Sequence, residues 1–151
     1  TDSNIVQIVR IKRGKMKDYT QILRDNKISP SIQRIKILEF LDQHRTHPTV
    51  DEIFTSLIPV IPTLSKMTIY NTLKIFSARG IIKSIPNSEN VGHYDFNVTP
   101  HSHFKCRKCK KVYDVDVKLG VTIGKNIDGC KVEEYNLILE GICKSCIDKD
   151  K

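Results

Sequence analysis

The chain has 151 residues, 39% of them hydrophobic, and 25 Lys and Arg against 17 Asp and Glu give a formal charge of +8. That length suits one ordinary domain or two small ones. The longest early apolar cluster, Ile5 to Ile11, is broken by Gln7 and Arg10, far short of the roughly 20 residues that span a bilayer, so no membrane segment is expected and a soluble, cytoplasmic protein is. Residues 1–98 hold 14 basic against 9 acidic side chains. A positive field on that part of the chain suits a polyanion such as nucleic acid.

Taken in chain order, residues 1–16 carry Arg10, Lys12, Arg13 and Lys15 with little periodicity and read as a basic, mobile arm. Tyr19, Ile22 and Leu23 predict a short helix ending near Lys27. Ser29-Pro30 offers an N-cap and a first-turn proline for a second helix, with Ile32, Ile35, Leu38 and Leu41 expected on its buried face. Thr49-Val-Asp-Glu52 is a capping box that opens a third helix, burying Val50, Ile53, Phe54 and Leu57. Pro59 and Pro62 bound the next connection, and Ser65 caps a fourth helix through Arg79, stopped by Gly80.

On this fourth helix Ile69, Leu73 and Phe76 share the core side. Lys66, Tyr70, Asn71 and Lys74 share the other, a polar and aromatic set suited to a DNA major groove, although an ordinary solvated helix face has the same composition. Ile81–Ile85 and His93–Val98 are β-like runs joined by a turn-rich stretch. Helices plus a two-stranded hairpin over residues 17–98 predict a winged helix. Residues 99–151 predict a small α/β module: two strands around the first cysteine pair, a glycine-broken segment from Leu119 to Ile127, and a strand Val132–Leu139. The whole is an α+β protein.

Four cysteines fall in two matched pairs, Cys106-Arg-Lys-Cys109 and Cys143-Lys-Ser-Cys146, with 33 residues between them. Each Cys-x-x-Cys turn sets two thiolates to share one tetrahedral ion, and two such turns make the closed four-thiolate site of structural Zn²⁺. Two disulfides are the alternative. Cys130 leaves an odd thiol and no secretory signal is seen, which favours a reducing compartment. A small module gains from such a staple, because short chains bury little apolar surface.

A second ligand set is scattered. His101-Ser-His103 alternates, so a strand would point both imidazoles to one face, although such pairs also occur unliganded. Asp95 lies on the strand before and Asp114 shortly after the first cysteine pair, while His47, at the turn into the third helix, could equally serve as a capping or core histidine. Nitrogen and oxygen ligands suit Fe²⁺, Mn²⁺ or Zn²⁺.

The run from about Tyr19 to Cys146 resembles the Fur superfamily of metalloregulators. The resemblance rests on Ser29-Pro-Ser-Ile-Gln33-Arg34, His47-Pro48-Thr49, Met67-Thr-Ile-Tyr70-Asn71-Thr-Leu73, His101-Ser-His103 and the two cysteine pairs. Asp114, where glutamate is usual in iron sensors, and Asn71, where arginine is usual, make it most similar to the peroxide-sensing PerR branch. The resemblance implies a homodimeric, metal-dependent repressor of palindromic double-stranded DNA operators. Residues 17–98 would be its DNA-binding domain and 99–151 its dimerisation domain, with one structural Zn²⁺ on Cys106, Cys109, Cys143 and Cys146. One regulatory Fe²⁺ or Mn²⁺ would sit on His47, Asp95, His101, His103 and Asp114, with His47 or His101 oxidised when peroxide meets the iron form. It also implies DNA contacts from Gln33, Arg34, Lys66, Thr68, Tyr70, Asn71 and Lys74.

Two features depart from the family pattern. His93, two residues before Asp95, is an extra ligand or a wing-surface histidine. Gly120, Gly124 and Gly129 interrupt the segment expected to hold a dimer helix, each costing about 1 kcal/mol there relative to alanine. An iron- or zinc-uptake regulator of the same superfamily, a His/Asp metalloenzyme and a zinc-stapled RNA-binding module are the rival readings.

Overall fold

The computed structural model describes residues 17–85, 92–117, 120 and 123–150. The basic arm (1–16), the hairpin turn at 86–91 and most of 118–122 lie outside the described residues. The chain divides into two units, one up to Val98 and one from Thr99.

The first unit opens with α1 (Tyr19–Asp25), capped by the Asp18 carboxylate, which accepts from the Gln21 N–H. Lys27, at φ 58°, ends it. The Lys27 N–H donates to Arg24 O and the Ile28 N–H to Leu23 O, a Schellman arrangement that buries Ile28 on Leu23. Next comes α2 (Ile32–Gln43), whose cap is Ser31 and not Ser29: the Ser31 hydroxyl accepts from the Arg34 N–H. Pro30 therefore precedes the cap instead of filling the first turn.

The expected apolar face of α2 is also corrected. Ile37, Leu38, Phe40 and Leu41 are buried, Ile35 is half-buried, and Ile32 is 73% exposed. The reason is geometric. At about 100° per residue, a row taken every third position drifts about 60° backward at each step, so positions nine apart lie on opposite sides of the helix.

Helix α3 (Val50–Leu57) has the reciprocal capping box, with the Glu52 N–H donating to the Thr49 hydroxyl and the Thr49 N–H to Glu52 Oε2 at 2.7 Å. Val50, Ile53 and Leu57 are buried and Phe54 packs beside them. Helix α4 (Lys66–Ala78) is capped by Ser65 and closed by Gly80 at φ 70°, with the Ile81 N–H on Phe76 O. Its residues Ile69, Leu73 and Phe76 are fully buried. Strands β1 (Lys83–Ile85) and β2 (His93–Asp95) pair antiparallel, Ser84 opposite Tyr94. Helices and hairpin form a winged helix around one continuous core.

A polar cluster braces this unit. Asp42, 7% exposed at its side chain, takes Lys17 at 2.5 Å, Arg45 at 2.7 Å and the Tyr19 hydroxyl at 3.1 Å. Lys17 and Arg45 both lie over the Phe96 ring, 5.7 and 4.9 Å from its centroid. Burial pushes the Asp42 carboxyl up, but the hydrogen bonds from Lys17, Arg45 and Tyr19 outweigh it, so it lies below the usual aspartate value. Burial and the Asp42 charge push the Tyr19 phenol up to about 12.

The second unit holds a three-stranded sheet in the order β4-β3-β7, from β3 (Ser102–Cys106), β4 (Val112–Val115) and β7 (Ile138–Gly141). Strand β3 runs antiparallel to β4 and parallel to β7. Between β4 and β7 stands a hairpin of β5 (Asn126–Ile127) and β6 (Cys130–Lys131). Asp128 at φ 49° and Gly129 at φ 81° make its two-residue turn, the pairing of types that such a turn requires. The expected strand Val132–Leu139 is mostly absent: residues 132–137 are irregular, and pairing to β3 begins at Ile138. A six-residue helix, α5 (Lys144–Lys149), follows Cys143. No helix among the described residues is long and apolar enough to cross a membrane.

Asp42→Asn leaves two cations and a phenol around a neutral amide, and should cost about 2–3 kcal/mol at pH 7. A carboxyl held low when folded stabilises above its unfolded pKa, and that stabilisation goes as pH falls through the folded value. The gap between wild type and variant in urea denaturation should therefore shrink below about pH 4. A gap that stays constant with pH would show that Asp42 acts only through its shape.

Candidate metal centres and nucleic-acid interface

In the second unit the two knuckles bring all four paired cysteines together, their sulfurs within 4.8 Å of one another. Cys106 Sγ is 3.9 Å from Cys146 Sγ, and Cys109 Sγ is 3.7 Å from Cys143 Sγ. Thiolates bound at about 2.3 Å to a tetrahedral ion lie about 3.8 Å apart. The set therefore fits a closed four-sulfur site, its sulfurs standing well beyond the roughly 2.05 Å of a disulfide bond. Cys130 lies apart on β6, exposed.

The sequence positions these sulfurs through backbone geometry. Lys110, at φ 64°, turns the chain so that its N–H reaches Cys106 O, and the Cys106 N–H donates to Lys111 O. Register with β7 puts Gly141 opposite Cys106, and a Cβ on Gly141 would come within 3.2 Å of the Phe104 ring. Glycine there lets β7 lie close and deliver Cys143. Lys108 pairs with Asp150, joining the two knuckles at the surface.

The electrostatics favour thiolate at Cys106 and Cys143 and oppose it at Cys146. Burial pushes the Cys106 thiol up, but N–H groups of Cys109 and Cys143, each 3.4 Å from the sulfur, bring it down to about 6. The Tyr113 hydroxyl, 3.6 Å from Cys143 Sγ, lowers Cys143. Burial, reinforced by the neighbouring sulfurs, pushes Cys146 up to about 12. Four charges this close repel, so the full thiolate set forms only with a cation at its centre.

Also in the second unit, His101 Nε2 and His103 Nε2 lie 3.0 and 3.5 Å from the same oxygen, Asp114 Oδ1. The register of β3 on β4 sets His103 directly opposite Asp114. His101 Nδ1 is 2.6 Å from Thr99 O. A carbonyl can only accept, so Nδ1 donates to it and Nε2 is the ring atom turned toward Asp114, where it could serve an ion, the outer-shell arrangement of metal-binding histidines. Adjacent ligands about 2.1 Å from an octahedral ion stand about 3 Å apart, which these atoms match.

Within the first unit His47 Nε2 faces Asp95 Oδ2 at 3.5 Å, both residues buried. The other Asp95 oxygen accepts the Asn97 N–H at 2.8 Å, which orients the carboxylate. His47 has φ 57°, a left-handed conformation costing about 1–2 kcal/mol. His93 is corrected. It is 8% exposed, so it is no wing-surface residue, and its Nδ1 lies 2.8 Å from the His47 carbonyl. The period of β2 carried this signal, since His93 and Asp95 share one strand face.

On the outer side of α4, Lys66, Tyr70, Asn71 and Lys74 are exposed, as is Met67. Tyr70, Asn71 and Lys74 line an open groove of about 380 Å³ with Ser77, Ser84 and Tyr94. Tyr94 and Ser84, a cross-strand pair of the wing, were not singled out from sequence. Three expected contacts have intramolecular partners. Lys66 is ion-paired to Asp51 at 2.8 Å, the Thr68 hydroxyl is 2.9 Å from that of Ser65, and Arg34 donates to Ser29 O at 2.6 Å. Gln33 is half-buried on the first turn of α2.

Residues 25–139 match the model of the ferric uptake regulator family. The chain is 33% identical over 138 residues to the peroxide-responsive repressor PerR of Staphylococcus saprophyticus, covering 89% of this chain and 93% of that one. In fold it is similar to the Vibrio cholerae ferric uptake regulator (TM-score 0.67, 22% identity, 83% of this chain and 100% of that one). It is likewise similar to the Helicobacter pylori ferric uptake regulator Fur (TM-score 0.67, 17% identity, 89% and 97%). Proteins of this kind bind metals and DNA and act as dimers. This chain belongs to the ferric uptake regulator family and is a transcriptional regulator, not an enzyme.

Proposed function

We propose that the chain is a metal-dependent repressor that holds a palindromic operator as a cytoplasmic homodimer and releases it on exposure to peroxide. The observation that carries this reading is the convergence of His101 and His103 on Asp114, with the His101 tautomer fixed by Thr99, in a chain one-third identical to a peroxide-responsive repressor. Zn²⁺ is the ion proposed for Cys106, Cys109, Cys143 and Cys146, because soft thiolates select it. His47, Asp95, His101, His103 and Asp114 are proposed to hold one Fe²⁺ or Mn²⁺ through neutral imidazoles and ionised carboxylates. Ligands drawn from both units are satisfied together only in some mutual orientations, so metal would bias the population toward those.

Fe²⁺ held there would lend one electron to peroxide and recover it from the ring, which Mn²⁺ would not do. In net terms His47 or His101 gives up two electrons, exchanges a ring C–H for C–OH, and the second peroxide oxygen leaves as water; the modified ring is a poorer ligand. With Fe²⁺ and a small dose of H₂O₂, tryptic peptides bearing His47 or His101 should gain one oxygen mass and operator binding should fall; with Mn²⁺ neither should occur. DNA release with both histidines unmodified and zinc lost would make the chain a cysteine redox switch. Metal-dependent repression without any response to peroxide would make it an uptake regulator.

Cys106→Ser should lose zinc, dimerisation and much of the structure of residues 99–151, since metal binding of this type is folding free energy. Cys130→Ser should keep full zinc. Elemental analysis and sedimentation check both, and a zinc-free Cys106→Ser protein that remains a folded dimer would refute the structural role.

For DNA, Asn71 is proposed to read adenine with its amide, Tyr70 to contact a thymine methyl, and Lys66 and Lys74 to neutralise phosphates. Asn71→Ala should cost roughly 1–3 kcal/mol at one position of each half-site. Lys74→Ala should weaken all sequences alike and flatten the salt slope by about one unit per half-site. Lys66→Ala should do less, because Asp51 already competes for that ammonium. Titrations against operator variants at several salt concentrations would expose a different docking element if neither Asn71 nor Lys74 mattered.

A further inference from the structure

Three interactions sew the turn that carries His47 onto strand β2. His93 Nδ1 lies 2.8 Å from the His47 carbonyl, the Tyr94 N–H donates to Pro48 O at 3.1 Å, and Thr49 bridges His93 in antiparallel fashion. Two of the three involve backbone groups that any sequence supplies. The His93 ring is specific to this chain. Because a carbonyl oxygen only accepts, the Nδ1 of His93 carries a hydrogen and donates it.

The group it clamps is in an unfavourable conformation. His47 stands at φ 57° immediately before Pro48. A side-chain-bearing residue avoids that region, and a following proline ring further restricts the backbone of the residue before it. Strain of this kind persists only where the surroundings over-determine it, and it collects at functional positions. Here the strained residue presents Nε2 to Asp95 Oδ2 at 3.5 Å.

We propose that His93 is a positioning residue for the metal half-site of the winged helix. Its Nδ1–H holds the His47 carbonyl, keeping His47 in the left-handed turn and its Nε2 toward Asp95 before any ion arrives. One strand then sets both ligands, Asp95 directly and His47 through His93 two residues earlier on the same face. The inference rests on the regulatory-site reading above for its consequence, but the clamp itself concerns only the metal-free turn.

The test compares three variants by the atom each retains. His93→Asn places an amide N–H near the position of Nδ1, His93→Gln reaches only toward Nε2, and His93→Leu removes both. In zinc-loaded protein titrated with Mn²⁺, His93→Leu and His93→Gln should raise the dissociation constant at least about 10-fold, as loss of an outer-shell partner does, while His93→Asn stays close to wild type. Hydrogen–deuterium exchange of the metal-free proteins should show faster exchange at the amides of residues 47, 49 and 50 in the Leu and Gln variants and wild-type protection in the Asn variant. Should His93→Leu fail to fold, the Asn and Gln comparison decides alone.

Retention by the Gln variant and loss in the Asn variant would overturn the proposal in favour of a ligand acting through Nε2. Equal loss in all three would mean the ring only fills space, and wild-type behaviour in all three would mean there is no clamp. His47→Ala separates the two ideas. If it binds Mn²⁺ as the wild type does, the regulatory-site reading fails, while the exchange rates of residues 47, 49 and 50 in the His93 variants still judge the clamp.

Discussion

The second unit depends on its four sulfurs. Its buried cluster is Cys106, Cys143 and Cys146, with only Phe104 and Tyr113 packed against it among the described residues. Fifty-odd residues with so little apolar burial cannot offset the entropy of ordering by hydrophobic contact alone. The order of the unit therefore comes from an electrostatic constraint. Like charges are held within 4.8 Å and become favourable when a cation sits among them. Everything else in the sheet serves that approach: the left-handed Lys110, the glycine at 141, and the parallel register that brings Cys143 beside Cys106.

The first unit is organised on the opposite principle. Its core is continuous through all four helices and onto the wing, with Leu23, Ile37, Leu38, Ile53, Ile69, Leu73 and Phe76 among its buried residues. Capping is complete in the same region, from Asp18, Ser31, Thr49 and Ser65. Such a unit is ordered by apolar packing and caps. That packing is what allows His47 and Asp95 to be kept facing one another at modest cost. The strain at His47 and the buried Asp95 are tolerated because the surrounding packing is secure.

Local chemistry written in adjacent residues was legible from sequence. The Thr49 capping box, the Ser65 cap with its Gly80 stop, the buried face of α4 and the paired cysteines all declare themselves within four or five positions, and the structure has each of them. Errors arose where a pattern must be carried further. The three-residue row expected for α2 meets the core at Leu38 and Leu41 but lies off it at Ile32, in the first turn, and Ile37 is buried instead. Ser29 and Ser31 both flank Pro30, and only the reach of the Ser31 hydroxyl to the Arg34 N–H decides between them. The run Val132–Leu139 has strand-forming residues, but its irregular part finds no partner strand among the described residues. Asp128-Gly129 was a readable hairpin signal that the emphasis on helix-breaking glycines concealed. The period of β2 puts His93 on the same face as Asp95, but its partner, the His47 carbonyl, lies 46 positions earlier in the chain, which no local window contains.

The two ligand chemistries also explain how one chain could answer peroxide without losing its scaffold. A thiolate is the most oxidisable group a protein offers, and its reactivity follows its charge and access. Here Cys106 is fully buried and its sulfur accepts two N–H groups, while the Tyr113 hydroxyl lies against Cys143. Hydrogen bonds of this kind draw charge from the sulfur, and a bound cation draws more, so nucleophilic attack on peroxide is slowed. The imidazoles of the other set, also buried or hydrogen-bonded, would react through the ion proposed to sit beside them. A sensor built this way would place the expendable chemistry on the histidines and withhold it from the buried sulfurs of Cys106, Cys143 and Cys146, while Cys109, exposed, would rely on a bound cation alone.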